Sequence, residues 1–515
     1  MNRTERRGRA PRAGRAIRAA IALVAASVTL SGCLYAAIPE ETASSAPTIE
    51  DPGNPDAFYE QELSWNDCGG FECTTVTAPL DWEDPAAGTI GLSVIRAAAT
   101  GPDRIGSLLT NPGGPGASGV GLIRDSLDFA VGSALQESYD VIGFDPRGVG
   151  SSTAVRCFDA AEMDAYLYEI PENPRGSQEW EDELTERNAA FAEACEENSQ
   201  GILPFITTTN AARDMDLLRG VLGDDKLNYL GYSYGTFLGA TYAELYPGNV
   251  GRMVLDGAID PSISGLEVGT EQAIGFENAL RAYMAACLTT QECPFRGSVD
   301  QAMSDLGALL ASVDRSPLPA SDGRELGADT LVTGIVAALY SQANWPVLTQ
   351  ALSEALQGDP TTAFLLADFY NGREGGVYID NSAEAFRAYN CMDYPADSSQ
   401  ADQDAADARI AAEAPTIAEY WEGPDACEVW PYDPTGTRAP IAAVGAAPIL
   451  VVGTTGDPAT PYAWSVSLAE QLESGVLVTN VGEGHTGYNK GNACVDDAVE
   501  AYLIEGTVPA ADLCS

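Results

Sequence analysis

Three short stretches hold the side chains that could do chemistry. GYSYG (231–235) sets a serine between two glycines, GDPATP (456–461) sets an aspartate after an apolar run, and GEGHTGY (482–488) holds the only histidine among 515 residues. A serine hydroxyl is a poor nucleophile until a base takes its proton, and a neutral imidazole does so near physiological pH. The imidazole needs a carboxylate that fixes its tautomer and orientation. Ser233, His485 and Asp457 can fill these roles in the chain order Ser, Asp, His, with Asp256 in VLDG as the competing acid.

The pattern G-x-S-x-G is short, so its placement decides its meaning. KLNYLGYSYGTFLGATYAELYP reads as strand, tight turn and helix, closed at Pro247, which is the context of a nucleophile elbow. An oxyanion needs two donors. The residue after the nucleophile, Tyr234, offers one backbone N–H, and the loop NPGGPG (111–116) offers the second, assigned to Gly114.

The elements that must position these loops are short apolar runs ending in turn residues. SLLT from 107, Asp140–Phe144 in YDVIGFDPRGVGSS, the run before GYSYG, RMVLDG, PILVVG and SGVLVTNV all read as strands that lead into loops. Strands alternating with helical patterns predict a mostly parallel α/β sheet with its working loops at the strands' C-terminal ends.

Composition narrows the function classes. The hydrophobic share is 45% and the charged share 20%, as in a globular protein, and the formal net charge is −48. Seven of the 27 basic residues fall in the first 18 positions, so from residue 33 onward 20 basic side chains face 74 acidic ones, and the only lysines are Lys226 and Lys490. A nucleic-acid partner is excluded, because a phosphate backbone needs a basic footprint. The acidic excess reads first as a solvated surface that keeps an exported protein soluble, and alternatively as an attraction for cationic substrates such as free peptide amines.

The N-terminus reads as an export signal: a basic run, the apolar stretch AIRAAIALVAASVTL, then LSGC with Cys33 after small residues. LSGC resembles the lipobox of bacterial lipoproteins, in which the cysteine is lipidated and becomes the first mature residue. This predicts a signal peptide over 1–32, a flexible tether over 33–60, and a cell-membrane location outside the cytoplasm, held by the lipid anchor alone. Removing Cys33 from the eleven cysteines leaves Cys68, Cys73, Cys157, Cys195, Cys287, Cys293, Cys391, Cys427, Cys494 and Cys514. In an oxidising compartment these can form five disulfides, most simply paired in sequence order. No zinc-type cysteine spacing occurs, and no metal or cofactor is implied.

NPGGPG, YDVIGFDPRGVGSS, AARDMDLLRGVLG, LGYSYGTFLGATYAELYP, RMVLDGAIDP, GDPATP, GEGHTGY and the C-terminal CVDDAVEAYLIEGTVPAADLC together resemble the actinobacterial tripeptidyl aminopeptidases, which are α/β-hydrolases related to proline iminopeptidases. The resemblance runs from residue 61 to 515. It implies an α/β-hydrolase core over 61–259 and 441–515, a large, mostly helical cap over 260–440, the triad Ser233, Asp457 and His485, and an oxyanion hole from Gly114 and Tyr234. It also implies a serine aminopeptidase that releases short peptides, as tripeptides, from free N-termini through an acyl-enzyme. One position departs: proline iminopeptidases carry His before GGPG, and this chain has Asn111. Asp393, in YNCMDYP, stands out as an acidic residue for the substrate amine. The residues leave open an esterase or other acyl hydrolase of the same fold, and a binding lipoprotein without turnover.

Overall fold

Buried apolar runs become the parallel strands of one mixed sheet, and these deliver their loops to the same edge. The computed structural model describes residues 46–395, 399–421, 423–436, 438–509 and 513–514. Cys33 and the signal segment lie outside the described residues. The sheet strands are β1 (Asn66–Asp67), β2 (Glu72–Pro79), β3 (Thr89–Ala97), β4 (Gly106–Asn111), β5 (Tyr139–Phe144), β6 (Leu227–Tyr232), β7 (Val250–Asp256), β8 (Ile449–Gly456), β9 (Gly475–Glu483) and β10 (Leu513–Cys514). Their spatial order is β1-β2-β3-β5-β4-β6-β7-β8-β9-β10. The first three pair antiparallel, as does β3 with β5, and every later pair is parallel. This is an α/β-hydrolase fold.

β4 and β5 are buried at every position, the mark of a parallel sheet covered on both faces by helices. β3 alternates instead, with Ile90, Leu92 and Val94 facing the core. Among the helices on the sheet, α1 (Thr208–Val221) packs against α2 (Tyr234–Leu245), the helix that GYSYG opens. Arg147 of the DPRG turn is fully buried and makes a bidentate pair with Asp214 of α1 at 2.7 Å for each bond, with further donation to Pro79 O and Leu80 O. Arg147 of YDVIGFDPRGVGSS and Asp214 of AARDMDLLRGVLG are thus one internal ion pair that ties β2, the β5 loop and α1 together.

Between β7 and β8 the chain inserts a largely helical region that includes α3 (Gly265–Cys287), α4 (Ala328–Leu339) and α5 (Ser382–Asp393). Phe276, Leu280, Met284, Leu310, Ile335 and Leu352 give it an apolar cluster of its own, and Ala459 from the loop after β8 belongs to that cluster. Five disulfides pair in sequence order: Cys68–Cys73, Cys157–Cys195, Cys287–Cys293, Cys391–Cys427 and Cys494–Cys514.

The segment expected to remain a tether as far as residue 60 joins the core earlier. Pro47 O accepts the Thr77 hydroxyl at 2.6 Å, and Phe58, on the helical turn Asp56–Tyr59, is fully buried. Its polar composition hid one anchoring aromatic side chain, and a single buried Phe is enough to fix a short segment. Among the described residues, no helix is long and apolar enough to cross a membrane.

Candidate active site

The register of the sheet brings the three loops together. Tyr232 at the end of β6 lies opposite Asp256 at the end of β7, which lies opposite Val452 of β8. Ser233 follows at once with φ 55° and ψ −124°, a left-handed backbone that a non-glycine residue adopts only under constraint. Its N–H donates to Asp256 O at 2.9 Å, and the next residue, Gly257, donates to Val452 O at 2.9 Å. The turn fits because its neighbours lack side chains: a Cβ on Gly231 would sit 2.5 Å from Gly235 O, and one on Gly113 would sit 2.8 Å from the Ser233 Cβ.

His485 occupies the loop after β9. Its Nδ1 lies 2.9 Å from both Asp457 oxygens, and its backbone N–H donates to Tyr340 O at 2.9 Å. The Tyr340 ring meets the imidazole edge to face, with centroids 5.2 Å apart. Asp457 accepts N–H bonds from Ala459, Thr460 and Thr486 and the Thr460 hydroxyl at 3.0 Å, so its carboxylate is fixed before it touches the ring. A carboxylate at Nδ1 places the ring proton there and leaves Nε2 as the basic lone pair. That Nε2 is buried and has no hydrogen-bond partner. The ring borders Gly257, where a Cβ would approach its Cε1 to 3.2 Å, beside the Asp256 carbonyl that holds Ser233. Burial opposes a charged imidazole, but the Asp457 charge and hydrogen bond, with help from Asp256, outweigh it and raise the His485 pKa above the ordinary value.

The two candidate acids separate cleanly. Asp256 does not bond the ring; it accepts N–H bonds from Gly487 at 2.8 Å and Tyr488 at 2.8 Å, and so braces the histidine loop from beneath. Burial pushes its carboxyl up to about 6, against those two bonds. Asp393 is buried away from solvent and bonded to Thr208. At the other side of the nucleophile, Tyr234 opens α2, where the first N–H groups have no intrahelical acceptor and a negative charge is favoured. Gly114 lies in the NPGGPG turn at φ 105°, and Asn111 Oδ1 accepts the Gly113 N–H at 2.9 Å, shaping that turn from within.

Sequence reasoning missed Tyr340 and Thr460. Thr460 had a faint signal, a hydroxyl three residues after an aspartate in a turn. Tyr340 had none, because it sits at the end of α4 in the inserted region and meets His485 only through the fold. The insert also clamps the acid loop: Gln272 of α3 donates to Ala459 O at 2.8 Å. Beside that loop opens a cavity of about 440 Å³ lined by Glu271, Asn278, Arg409, Tyr462 and Glu483.

The family profile described as TAP-like protein matches residues 414–514. Serine protease Hip1 of Mycobacterium tuberculosis is 36% identical over 474 residues, covering 87% of this chain and 90% of that protein. Tripeptidyl aminopeptidase of Streptomyces lividans is 32% identical over 473 residues, covering 88% and 86%. Carboxylesterase B of Mycobacterium tuberculosis is 39% identical over 511 residues, covering 95% and 97%.

Proposed function

We infer the activity from the family to which this chain belongs, the tripeptidyl aminopeptidase-like serine peptidases of the α/β-hydrolase fold, and propose an exported aminopeptidase that releases tripeptides from free N-termini. Ser233 attacks the scissile carbonyl while His485 Nε2 takes its proton, and Asp457 holds the imidazolium that forms. The oxyanion of the tetrahedral intermediate accepts the Tyr234 and Gly114 N–H groups. His485 returns the proton to the leaving amine, the peptide stays as an ester on Ser233, and water activated by the same imidazole releases it.

The observation that carries this reading is the orphaned Nε2. Buried polar atoms almost always have partners, yet here the one imidazole is gripped at Nδ1 and left free at the nitrogen that a general base needs. Export is supported by five disulfides, and the lipid anchor at Cys33 by its lipobox-like context. Preference for a free amine is supported by the acidic excess and by the Glu483 carboxylate in the cavity beside Asp457.

An extended tripeptide spans about 10 Å, so a carboxylate at that reach from Ser233 can count residues by pairing with the ammonium. Charged hydrogen bonds of about 1.5–3 kcal/mol give roughly ten- to hundred-fold discrimination. The test is a panel of aminoacyl, dipeptidyl and tripeptidyl anilides, their N-acetyl forms, and nitrophenyl esters. A free tripeptide favoured at least about tenfold over its acetylated form supports the aminopeptidase. Equal cleavage of the two removes it. The second reading, an ester hydrolase, is favoured by the carboxylesterase relative alone, and the same panel supports it if the esters outrun every peptide.

A further inference from the structure

Helix α5 belongs to the inserted region by sequence, yet one end presses on the Gly114 loop and the other reaches Tyr234 through Thr208. At the N-terminal end the Asn381 side chain accepts the Gly150 N–H at 2.7 Å and donates to Gly148 O and Val155 O at 2.8 Å. Glu384 accepts the Cys157 N–H at 2.7 Å. There the helix presses on NPGGPG: a Cβ on Gly116 would lie 2.7 Å from Ser382 O and 2.9 Å from the Phe386 N. At the C-terminal end the buried Asp393 carboxylate accepts the Thr208 N–H at 2.9 Å and the Thr208 hydroxyl at 2.5 Å. Thr208 has one hydroxyl proton and has committed it to Asp393. The phenol of Tyr234, 2.5 Å from Thr208 Oγ1, therefore donates to that oxygen.

We propose that α5 aligns both halves of the oxyanion hole, through contact with the Gly114 loop at one end and through a relay from Asp393 to Thr208 to Tyr234 at the other, with Asp393 and Thr208 as positioning residues. The inference rests on the reading of Gly114 and Tyr234 as the oxyanion donors. The phenol is the far end of the side chain whose backbone N–H faces the oxyanion, so holding the phenol restrains that peptide unit. A chain of hydrogen bonds ending on a carboxylate is stronger than its separate members. Because the oxyanion exists only on the way through the transition state, misalignment lowers kcat and leaves KM in place.

The relay works while Asp393 is ionised. Burial raises its pKa to about 6 against the Thr208 bonds and the nearby Arg438 charge. Arg438, stacked 4.0 Å from the Tyr394 ring centre, is the cation that faces it. The other titratable groups around it are Tyr234, Tyr389 and Tyr394, and Glu244 across a cavity of about 240 Å³. A proton on Asp393 removes one acceptor from Thr208 and loosens the chain.

The experiment is steady-state kinetics of the whole protein on a tripeptidyl anilide. Thr208→Val and Tyr234→Phe should each lower kcat about tenfold with KM nearly unchanged, Thr208→Ser should restore the rate, and the double variant Thr208→Val with Tyr234→Phe should lose no more than either alone. The acid limb of kcat should steepen below about pH 6 in the native protein and keep a single-proton slope in Asp393→Asn. Variants that lower thermal stability while kcat, its pH profile and the double-variant arithmetic stay native-like would overturn the relay, and Tyr234→Phe, nearly isosteric, keeps that outcome readable if Thr208→Val folds poorly. Turnover surviving in Ser233→Ala would instead remove the proposed function itself.

Discussion

His485 has one ring nitrogen gripped and the other free, and that asymmetry sets what single substitutions should do. Ser233→Ala and His485→Ala should each lower kcat by roughly 10³-fold or more, and the pair together should be little worse, because nucleophile and base act as a unit. Asp457→Asn keeps the shape but lets the ring take the wrong tautomer, and a loss of about 10⁴-fold is expected in the same assay. Asp256→Asn should cost far less, since Asp256 meets the histidine loop through backbone N–H groups and not through the ring. The rate should rise with pH through the His485 ionisation, placed above 6.5 because Asp457 and Asp256 favour the imidazolium. The linked stability has the opposite sense: it is fully present below about pH 6.5 and is lost as pH climbs through the raised value in the folded state.

At the level of the elements, Arg147 and Asp214 form an ion pair that joins the β5 loop to α1. Both side chains are fully buried, so Asp214→Ala leaves a guanidinium without its partner and should destabilise by about 3–5 kcal/mol in denaturant unfolding. A cost below about 1 kcal/mol would mean that solvent reaches the pair. Thiol alkylation under native conditions should find none of the ten cysteines from Cys68 to Cys514 reactive. The parallel strands were legible in the sequence because a strand buried on both faces is a continuous apolar run, as in YDVIGF and PILVVG, and because each ended in a loop of recognisable chemistry. β1, β2 and β3 escaped notice: ECTTVTAP is threonine-rich and half polar, and an antiparallel edge has no crossover helix to announce it. The loops that carry Ser233, Asp457 and His485 were legible for the same reason as their strands. Their supports, Tyr340 behind His485, Asp256 beneath the histidine loop, and α5 against the Gly114 loop and Thr208, were not, since each is a contact between segments far apart in the chain with no local pattern to mark it.

Over the whole molecule, an acidic excess and several buried carboxyls act in the same direction. Asp256 and Asp393 are raised to about 6 and Glu384 to about 7, each chiefly by burial. A carboxyl with a raised folded pKa contributes stability that is complete below its unfolded value, about 3.9–4.3, and is lost as pH rises through the folded value. Self-repulsion of a chain with net charge −48 also falls as pH drops and as salt is added. The thermal midpoint should therefore rise from pH 8 to about pH 5.5, and rise with salt at pH 8; a midpoint that falls in both experiments would show that neither the buried carboxyls nor the surface charge governs stability. The proposed chemistry turns on a smaller place, the bond between substrate and Ser233 Oγ. Reaction of the native protein with a fluorophosphonate, followed by digestion and mass spectrometry, should place one adduct on Ser233, in proportion to the loss of tripeptidyl anilide hydrolysis, and His485→Ala should suppress both. Hydrolysis that persists after Ser233 is fully modified, or a stoichiometric adduct on another residue, would contradict the account.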